Sequence, residues 1–173
     1  MTKSKIFILS LLFFSSILNA QTCIDSSAYN NMLSNLLSHS VPEICADSAA
    51  SLDSSTVFLD AREFNETKVS TIANAIPIGY DHFRIKLIKS IPKNTQIVVY
   101  CSVGYRSEKI TEKLIKAGYS NVSNLYGGIF EWVNQGFPIY TQVQKQNTLT
   151  TKVHAYNRSW GKWLYKGEKV YNH

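Results

Sequence analysis

The sequence QIVVYCSVGYRS, residues 96–107, decides the fold of this chain. Residues 96–100 form an apolar, β-branched run, which is typical of a buried strand. Residues 108–117 have the pattern of a helix, and Gly118 follows as a helix stop. The order predicts a strand, a short glycine-containing loop and a helix, with Cys101 at the carboxyl end of the strand.

The loop around Cys101 has the features of an anion-binding site. Successive backbone N–H groups of such a loop can point inward, and the start of the following helix adds positive potential. Arg106 adds a permanent charge, and all three effects favour the nucleophilic thiolate form of a cysteine. Gly104 allows a positive φ in the turn. The alternative is a buried structural cysteine, but the polar residues after Cys101 favour a functional loop.

Length and charge limit the classes of protein to consider. The chain has 173 residues, a formal net charge of +6 and no internal repeat. This length is enough for one domain with a hydrophobic core. The lysines are scattered and form no stripe, so we expect no nucleic-acid binding. A modest positive charge suits small anionic substrates, and it is equally consistent with simple solubility.

Strands and helices are predicted to alternate through the middle of the chain. This alternation predicts an α/β fold, with a central parallel sheet and helices on both faces. Ligands of such sheets bind beyond the carboxyl ends of the strands. The predicted strands are 41–45, 56–60, 75–78, 96–100 and 121–125, and the predicted helices are 80–89, 108–117 and 129–134.

Residues 1–20 have the pattern of a secretory signal peptide. Two lysines precede an apolar run over 6–18, and the segment ends in the small residue Ala20. The run is short for a membrane span. We therefore expect cleavage after Ala20, no membrane span in the mature protein, and a periplasmic or secreted location. The alternatives are a permanent N-terminal anchor and a lipid attached to Cys23.

A helical extension is predicted over residues 21–40. Apolar residues recur at helical spacing from Tyr29 to Leu37. Cys23 and Cys45 bracket this helix, and export would place them where disulfides persist. We predict a Cys23–Cys45 disulfide that pins the helix to the first strand, with two independent thiols as the alternative.

The end of the chain, residues 142–173, is predicted to lie outside the main domain. Residues 142–150 are polar, which indicates an exposed linker or loop. Residues 153–173 are aromatic and basic, and we expect them to pack on the domain or on a second subunit. Contact with a sugar or a membrane is the alternative. The aromatic residues of this segment are Tyr156, Trp160, Trp163, Tyr165 and Tyr171.

Residues 41–141 resemble the rhodanese-like family in four motifs that share its order and spacing. The resemblance implies one rhodanese-like α/β domain over this range. One stretch departs from the pattern: residues 71–75, TIANA, stand where the family often has H-I-x-G-A. The four motifs are LDARE (59–63), VYCSVGYRS (99–107), GYSNV (118–122) and LYGGIFEW (125–132).

The resemblance implies a single-domain sulfurtransferase without a metal or another cofactor. Cys101 would take sulfur from a donor such as thiosulfate, become a persulfide and pass the outer sulfur to a thiol or cyanide. The loop amides would hold the persulfide, Arg106 would attract the donor, and Arg62 would reach the same pocket or form an ordinary ion pair. The residues assigned to substrate binding are Ser102, Val103, Gly104, Tyr105, Arg106 and Arg62.

Two other functions compete with this interpretation. One is a non-catalytic rhodanese-like module that carries sulfur or binds a partner; the presence of Cys101, Gly104 and Arg106 argues against an inactive site. The other is a phosphatase or arsenate reductase, whose loops typically carry C-x5-R. Here Arg106 comes one residue too early, which makes a smaller cradle for a tetrahedral oxyanion.

Overall fold

A computed structural model describes residues 23–143 and 146–171. The signal peptide predicted over residues 1–20 lies outside these described residues. Within the described ranges, no helix is long and apolar enough to cross a membrane.

A five-stranded sheet forms the centre of the molecule, in the order β1-β5-β4-β2-β3. Every neighbouring pair is parallel, as the alternation of strands and helices predicts. Strand β4 lies in the middle and all four of its residues are buried, which explains its continuous apolar sequence. The strands are β1 (Glu43–Ile44), β2 (Val57–Asp60), β3 (Ile76–Pro77), β4 (Ile97–Tyr100) and β5 (Val122–Leu125).

Helices cover both faces of this sheet. Val98 and Tyr100 of β4 pack into one hydrophobic cluster, while Ile97, Val99 and Cys101 pack into the other. This alternation is the normal consequence of the strand pleat. The first cluster contains residues of α1 (Ser27–Leu36), α2 (Ala46–Ala50) and α5 (Gly128–Asn134), and the second contains residues of α4 (Tyr105–Lys116) and a 3₁₀ helix (Ile85–Ile88).

Several helix predictions were wrong in extent. The helix expected over residues 80–89 is a single 3₁₀ turn, and Arg84 at its start gives no side-chain cap. Helix α1 ends at Leu36 rather than near residue 40, because Leu37 is extended and turns its side chain into the core. Helix α3 (Phe64–Val69) was not predicted: of its two apolar residues, Phe64 is 62% exposed and Val69 is half-buried, so it lacks an inward apolar stripe.

The polar stretch predicted as a linker is instead half of a hairpin. Strands β6 (Ile139–Val143) and β7 (Gln146–Thr150) pair antiparallel. Residues 146–149 are exposed, as their composition predicts, but backbone pairing with β6 orders them. After the hairpin, β8 (Lys152–His154) and β9 (Glu168–Val170) form a parallel pair.

The first and last segments that the structure describes pack together on the domain. The rings of Tyr29 in α1 and Trp163 near the C-terminus stack with centroids 5.3 Å apart. The Tyr29 hydroxyl donates to the Gly127 carbonyl at 2.8 Å. The predicted Cys23–Cys45 disulfide is present and ties the start of the described chain to the residue after β1. Val153, Ala155 and Leu164 complete the same core cluster.

Candidate active site

The loop between β4 and α4 places Cys101 at the carboxyl end of the central strand. Cys101 is 1% exposed and is the free cysteine of the described residues. The backbone N–H of Gly104 donates to the Cys101 sulfur at 3.2 Å. Gly104 has φ +115 and is the N-cap of α4, a conformation that favours glycine. The helix start and the Gly104 amide therefore both face the side of the loop that holds the sulfur.

A second turn holds this loop in place. The carbonyls of Cys101 and Ser102 accept hydrogen bonds from the backbone N–H groups of Ile129 and Phe130, at 2.9 and 3.1 Å. The backbones are so close that a Cβ on Gly128 would lie 2.5 Å from the Cys101 oxygen. The start of α5 therefore fixes the backbone of the Cys101 loop, and only glycine fits at this contact.

Arg106 is bound to a carboxylate within the protein. Its Nη1 and Nη2 donate to the two oxygens of Glu66 at 2.7 and 2.8 Å, and Nη2 also donates to Ser102 Oγ at 3.0 Å. Burial opposes the Glu66 charge, but the hydrogen bonds and charge of Arg106 outweigh it, so the pKa of Glu66 lies below its usual value. Arg106 therefore clamps α3 to the loop, and its charge is already balanced.

Arg62 lies away from the Cys101 pocket. Its guanidinium is fully buried, donates from Nη2 to Asp60 at 2.7 Å and to the Ser70 carbonyl at 2.6 Å, and lines a different cavity. Burial opposes the charge of Arg62, but Asp60 outweighs it, so the pKa of Arg62 is raised. Asp60 is the last residue of β2 and Arg62 follows two residues later, so the two side chains can pair. The structure does not bring Arg62 to the pocket of Cys101.

A pocket of about 380 Å³ opens in front of Cys101. Five of the predicted site residues line it, while Gly104 contributes its N–H to the sulfur. From the sequence, the aromatic residues of 153–173 were expected to pack on the domain or on a second subunit, or alternatively to contact a sugar or a membrane, and there was no signal for a contribution from α1. The pocket residues missed from the sequence are Leu36, Glu63, Tyr80, Asp81, Tyr156 and Trp160.

Two further features bear on the site and its surroundings. In residues 23–143 and 146–171, no group of three or more His, Cys, Asp or Glu side chains is arranged to hold a metal ion. In the departing stretch 71–75, Asn74 has φ +57. Asparagine tolerates this left-handed conformation better than most residues, so the turn keeps a shape that usually favours glycine.

Comparison with known proteins identifies relatives of the central part of the chain. The family model described as the rhodanese-like domain matches residues 46–135. A tRNA uridine(34) hydroxylase from Yersinia enterocolitica is 34% identical over 96 residues, which are 50% of this chain and 27% of that protein. The match thus spans about a quarter of the length of the curated relative.

Solved structures share the same architecture. A rhodanese-related protein from Thermoplasma volcanium is 31% identical, with a TM-score of 0.52, over 57% of this chain and 96% of the other. A thiosulfate sulfurtransferase from Pseudomonas aeruginosa is 22% identical, with a TM-score of 0.54, over 72% of this chain and 23% of the other. The second likeness is one of fold alone. Residues 23–45 lie outside the matched range of the family model, and so do residues after 135.

Proposed function

This chain belongs to the rhodanese-like domain family, and on that basis we propose that it is a sulfurtransferase in which Cys101 carries the transferred sulfur. The observation that supports this most is the Gly104 N–H, 3.2 Å from the Cys101 sulfur at the start of α4. A backbone donor at this place stabilises negative charge on the sulfur and on a persulfide attached to it.

The reaction would have two halves. The Cys101 thiolate attacks the outer sulfur of thiosulfate, the sulfur–sulfur bond of thiosulfate breaks, and sulfite leaves with the electron pair. The resulting Cys101 persulfide then gives its outer sulfur to cyanide, which leaves as thiocyanate, or to a thiol, which becomes a persulfide. The thiolate of Cys101 is restored and no external oxidant or reductant is consumed. Such a covalent intermediate predicts ping-pong kinetics.

The loop residues would divide the work in this scheme. We assign the persulfide to the backbone amides from Ser102 to Arg106, with Gly104 as the amide already in contact with the sulfur. Arg106 acts through position: its bond to Ser102 Oγ and its two bonds to Glu66 fix the loop. Substrate attraction by Arg62 is not part of the proposal, because Arg62 is bound to Asp60.

The alternatives remain sulfur carriage for a partner protein, and phosphatase or arsenate reductase chemistry. A sulfur carrier would also form a persulfide on Cys101, but it would not turn over with small-molecule donors and acceptors. The oxyanion enzymes need a donor-rich cradle, whereas the cation here is paired with Glu66. We do not extend the hydroxylase activity to this chain, because the match spans only 27% of that relative. An exported location remains our proposal, and the Cys23–Cys45 disulfide supports it.

Turnover assays test this function. With thiosulfate and cyanide, we expect the protein to form thiocyanate over many cycles and Cys101→Ala to form none. With an aryl phosphate, we expect no hydrolysis. A single stoichiometric transfer without turnover would favour the carrier function, and hydrolysis of the aryl phosphate that depends on Cys101 would overturn the proposal.

A further inference from the structure

The outer wall of the Cys101 pocket is built from the two ends of the chain. Leu36 comes from α1, and Tyr156 and Trp160 come from the segment after β8. All three lie outside residues 46–135, the range of the family match. The match therefore accounts for the loop that holds the sulfur, while additional segments of this chain shape the space in front of it.

The two aromatic residues of this lining, Tyr156 and Trp160, form an aromatic wall that is held in a defined position. Tyr156 has φ +62, a conformation that costs energy for a tyrosine and persists only where the surrounding structure imposes it. Its N–H donates to His154 Nδ1 at 3.2 Å, and its ring lies 5.2 Å from the Arg106 guanidinium carbon. The N–H of Trp160 donates to Asn157 Oδ1 at 3.0 Å at the start of a short helix, α6 (Arg158–Gly161).

The charges around the pocket do not suit a small dianion. Glu63 and Asp81 line it, and both are acidic. Arg106 is the cation among the described lining residues, and both oxygens of Glu66 already bind it. A dianionic donor would therefore approach two carboxylates without an unpaired cation to balance it. A donor with an uncharged body avoids this repulsion.

The size of the pocket leads to the same class of donor. Its volume of about 380 Å³ falls within the range of small-molecule sites, about 300–1,000 Å³, and is far larger than a thiosulfate ion. Aromatic and aliphatic side chains in such sites contact the apolar body of a ligand, while a few polar groups fix the reacting end. Here the polar end is the Gly104 N–H beside Cys101.

We propose that this pocket accepts an organic persulfide, R–S–SH, whose R group is uncharged and apolar or aromatic. This inference rests on the proposed function, because Cys101 must be the sulfur acceptor. Leu36, Tyr156 and Trp160 contact the R group, and the outer sulfur reaches Cys101.

The transfer step balances without a further reactant. The Cys101 thiolate attacks the outer sulfur of R–S–SH, and a bond forms between the two sulfurs. The original sulfur–sulfur bond breaks, and R–S⁻ leaves with the electron pair. The proton stays on the transferred sulfur until the Cys101 persulfide ionises. The step is redox-neutral overall, because Cys101 is oxidised from thiolate to persulfide while R–S–SH is reduced to the thiolate, so no external oxidant or reductant is consumed.

The test compares two donors that differ only at a site remote from the reacting sulfurs. Benzyl persulfide and carboxybenzyl persulfide are each mixed with the full protein, and the rate of sulfur gain on Cys101 is followed by intact mass. We expect benzyl persulfide to react about tenfold faster, with thiosulfate slower than both. Asp81→Asn should reduce the difference in rate between the two persulfides, because it removes one of the carboxylates that repel the carboxybenzyl group.

Variants of the aromatic wall locate the effect. We expect Tyr156→Ala and Trp160→Ala each to slow benzyl persulfide by about fivefold, the scale of one lost aromatic contact, and to slow thiosulfate by a smaller factor. Tyr165→Ala is the matched control, since Tyr165 belongs to the same segment, is 53% exposed and does not line the pocket. It should leave all three rates unchanged.

The outcomes separate this inference from the proposed function. If no donor adds sulfur to Cys101, the proposed function itself fails. If Cys101 gains sulfur but the two persulfides react equally, or if Tyr156→Ala and Trp160→Ala behave like Tyr165→Ala, the sulfurtransferase proposal stands and the apolar-donor inference is overturned.

Discussion

The central domain, residues 46–135, and the two ends of the described chain, residues 23–45 and residues 136–143 with 146–171, share apolar packing but differ in their other stabilising contacts. The domain buries ionised pairs, Arg62 with Asp60 and Arg106 with Glu66. The ends are held by a disulfide, stacked rings and apolar side chains. Ion pairs at fixed distances set the geometry of a reacting loop, whereas apolar contacts set the shape of a pocket. This difference fits our proposals, in which the domain carries the chemistry and the ends select the substrate.

The two regions also differ in what a lost contact would do. A buried ion pair that loses one partner leaves a charge in a low-dielectric interior, which costs more than the pair itself contributes. Loss of an apolar contact or of a crosslink leaves no unpaired charge in the interior, and the cost of a lost apolar contact depends on how far the surrounding side chains rearrange. Variants of the domain's ion pairs should therefore lower global stability, and variants of the ends should alter substrate preference in addition to stability.

The largest expected effect comes from the buried pair of the domain. Asp60→Ala leaves the Arg62 charge fully buried without its carboxylate, and we expect a loss of about 3–5 kcal/mol in the free energy of unfolding. Urea titration measures it. Glu168→Ala is the control, because its pair with Lys152 is exposed and 3.9 Å long, and it should cost less than about 1 kcal/mol. A loss of less than about 1 kcal/mol for Asp60→Ala would contradict the claim that buried ion pairs stabilise the central domain.

Breaking the crosslink of the ends should have the next largest effect. The Cys23→Ser/Cys45→Ser variant removes a crosslink between residues that are 22 positions apart in sequence. We expect a loss of about 3 kcal/mol in the free energy of unfolding. The rate with benzyl persulfide should fall while the rate with thiosulfate is kept. A reducing agent should lower the free energy of unfolding of the parent protein and leave that of the variant unchanged. Equal losses with both donors would show that the ends support the loop chemistry as well.

The Glu66–Arg106 contact should give a smaller, pH-dependent effect. Because the pKa of Glu66 is lowered on folding, its stabilisation is present above about pH 4.3, the usual value for a free glutamate, and is lost as the pH falls through the lower folded value. Glu66→Gln should therefore cost about 2 kcal/mol at pH 7, the scale of hydrogen bonds to a charged group. The difference from the parent should shrink as the pH falls from 5 to about 3.

Glu131 provides the control of opposite sign for that pH series. Burial raises its pKa, and hydrogen bonds from Gln135 and Asn134 only partly oppose this. The parent should therefore lose stability relative to Glu131→Gln as the pH rises. The difference in the free energy of unfolding between this variant and the parent should change in the direction opposite to that for Glu66→Gln. Parallel pH profiles for the two variants would contradict the assignment of Glu66 to a stabilising ion pair.

The smallest expected effect concerns the bond between an end and the domain. Tyr29→Phe removes the buried hydroxyl that donates to the Gly127 carbonyl, and we expect a loss of about 1 kcal/mol in the free energy of unfolding. Tyr165→Phe, which removes an exposed contact with Ser26, should change stability by less than about 0.5 kcal/mol. A similar value for both would mean that the Tyr29 hydroxyl contributes no more than a surface contact.

The sequence predicted those parts of the fold that depend on local pattern. The apolar run of β4 and the helix that follows the Cys101 loop could be placed because their residues repeat with the period of the structure. Helix α3 could not be predicted in this way. Its N-cap is Glu63, which forms a capping box with Glu66, the third residue of the helix, and its first residue, Phe64, faces solvent. The hairpin of β6 and β7 depends on pairing between strands, which polar composition does not reveal.

The site followed the same division. Cys101 and Gly104 could be assigned because strand, loop and helix are consecutive in sequence. The partner of Arg106 could not be assigned, because Glu66 lies 40 residues earlier and only the tertiary fold brings the two side chains together. Tyr156 and Trp160 reach the pocket because the C-terminal segment packs on α1, a contact between opposite ends of the chain. Local sequence thus indicated the candidate nucleophile, whereas the residues around it could be identified only from the fold.

The central claim, that Cys101 accepts the sulfur, is tested most directly by intact mass and peptide mapping after treatment with thiosulfate or benzyl persulfide. We predict a gain of one sulfur, about 32 Da, on the parent protein, located on the peptide that contains Cys101 and removed by cyanide. Cys101→Ser should gain nothing from either donor. An equal gain in Cys101→Ser, or a sulfur located on Cys23 or Cys45, would contradict the account.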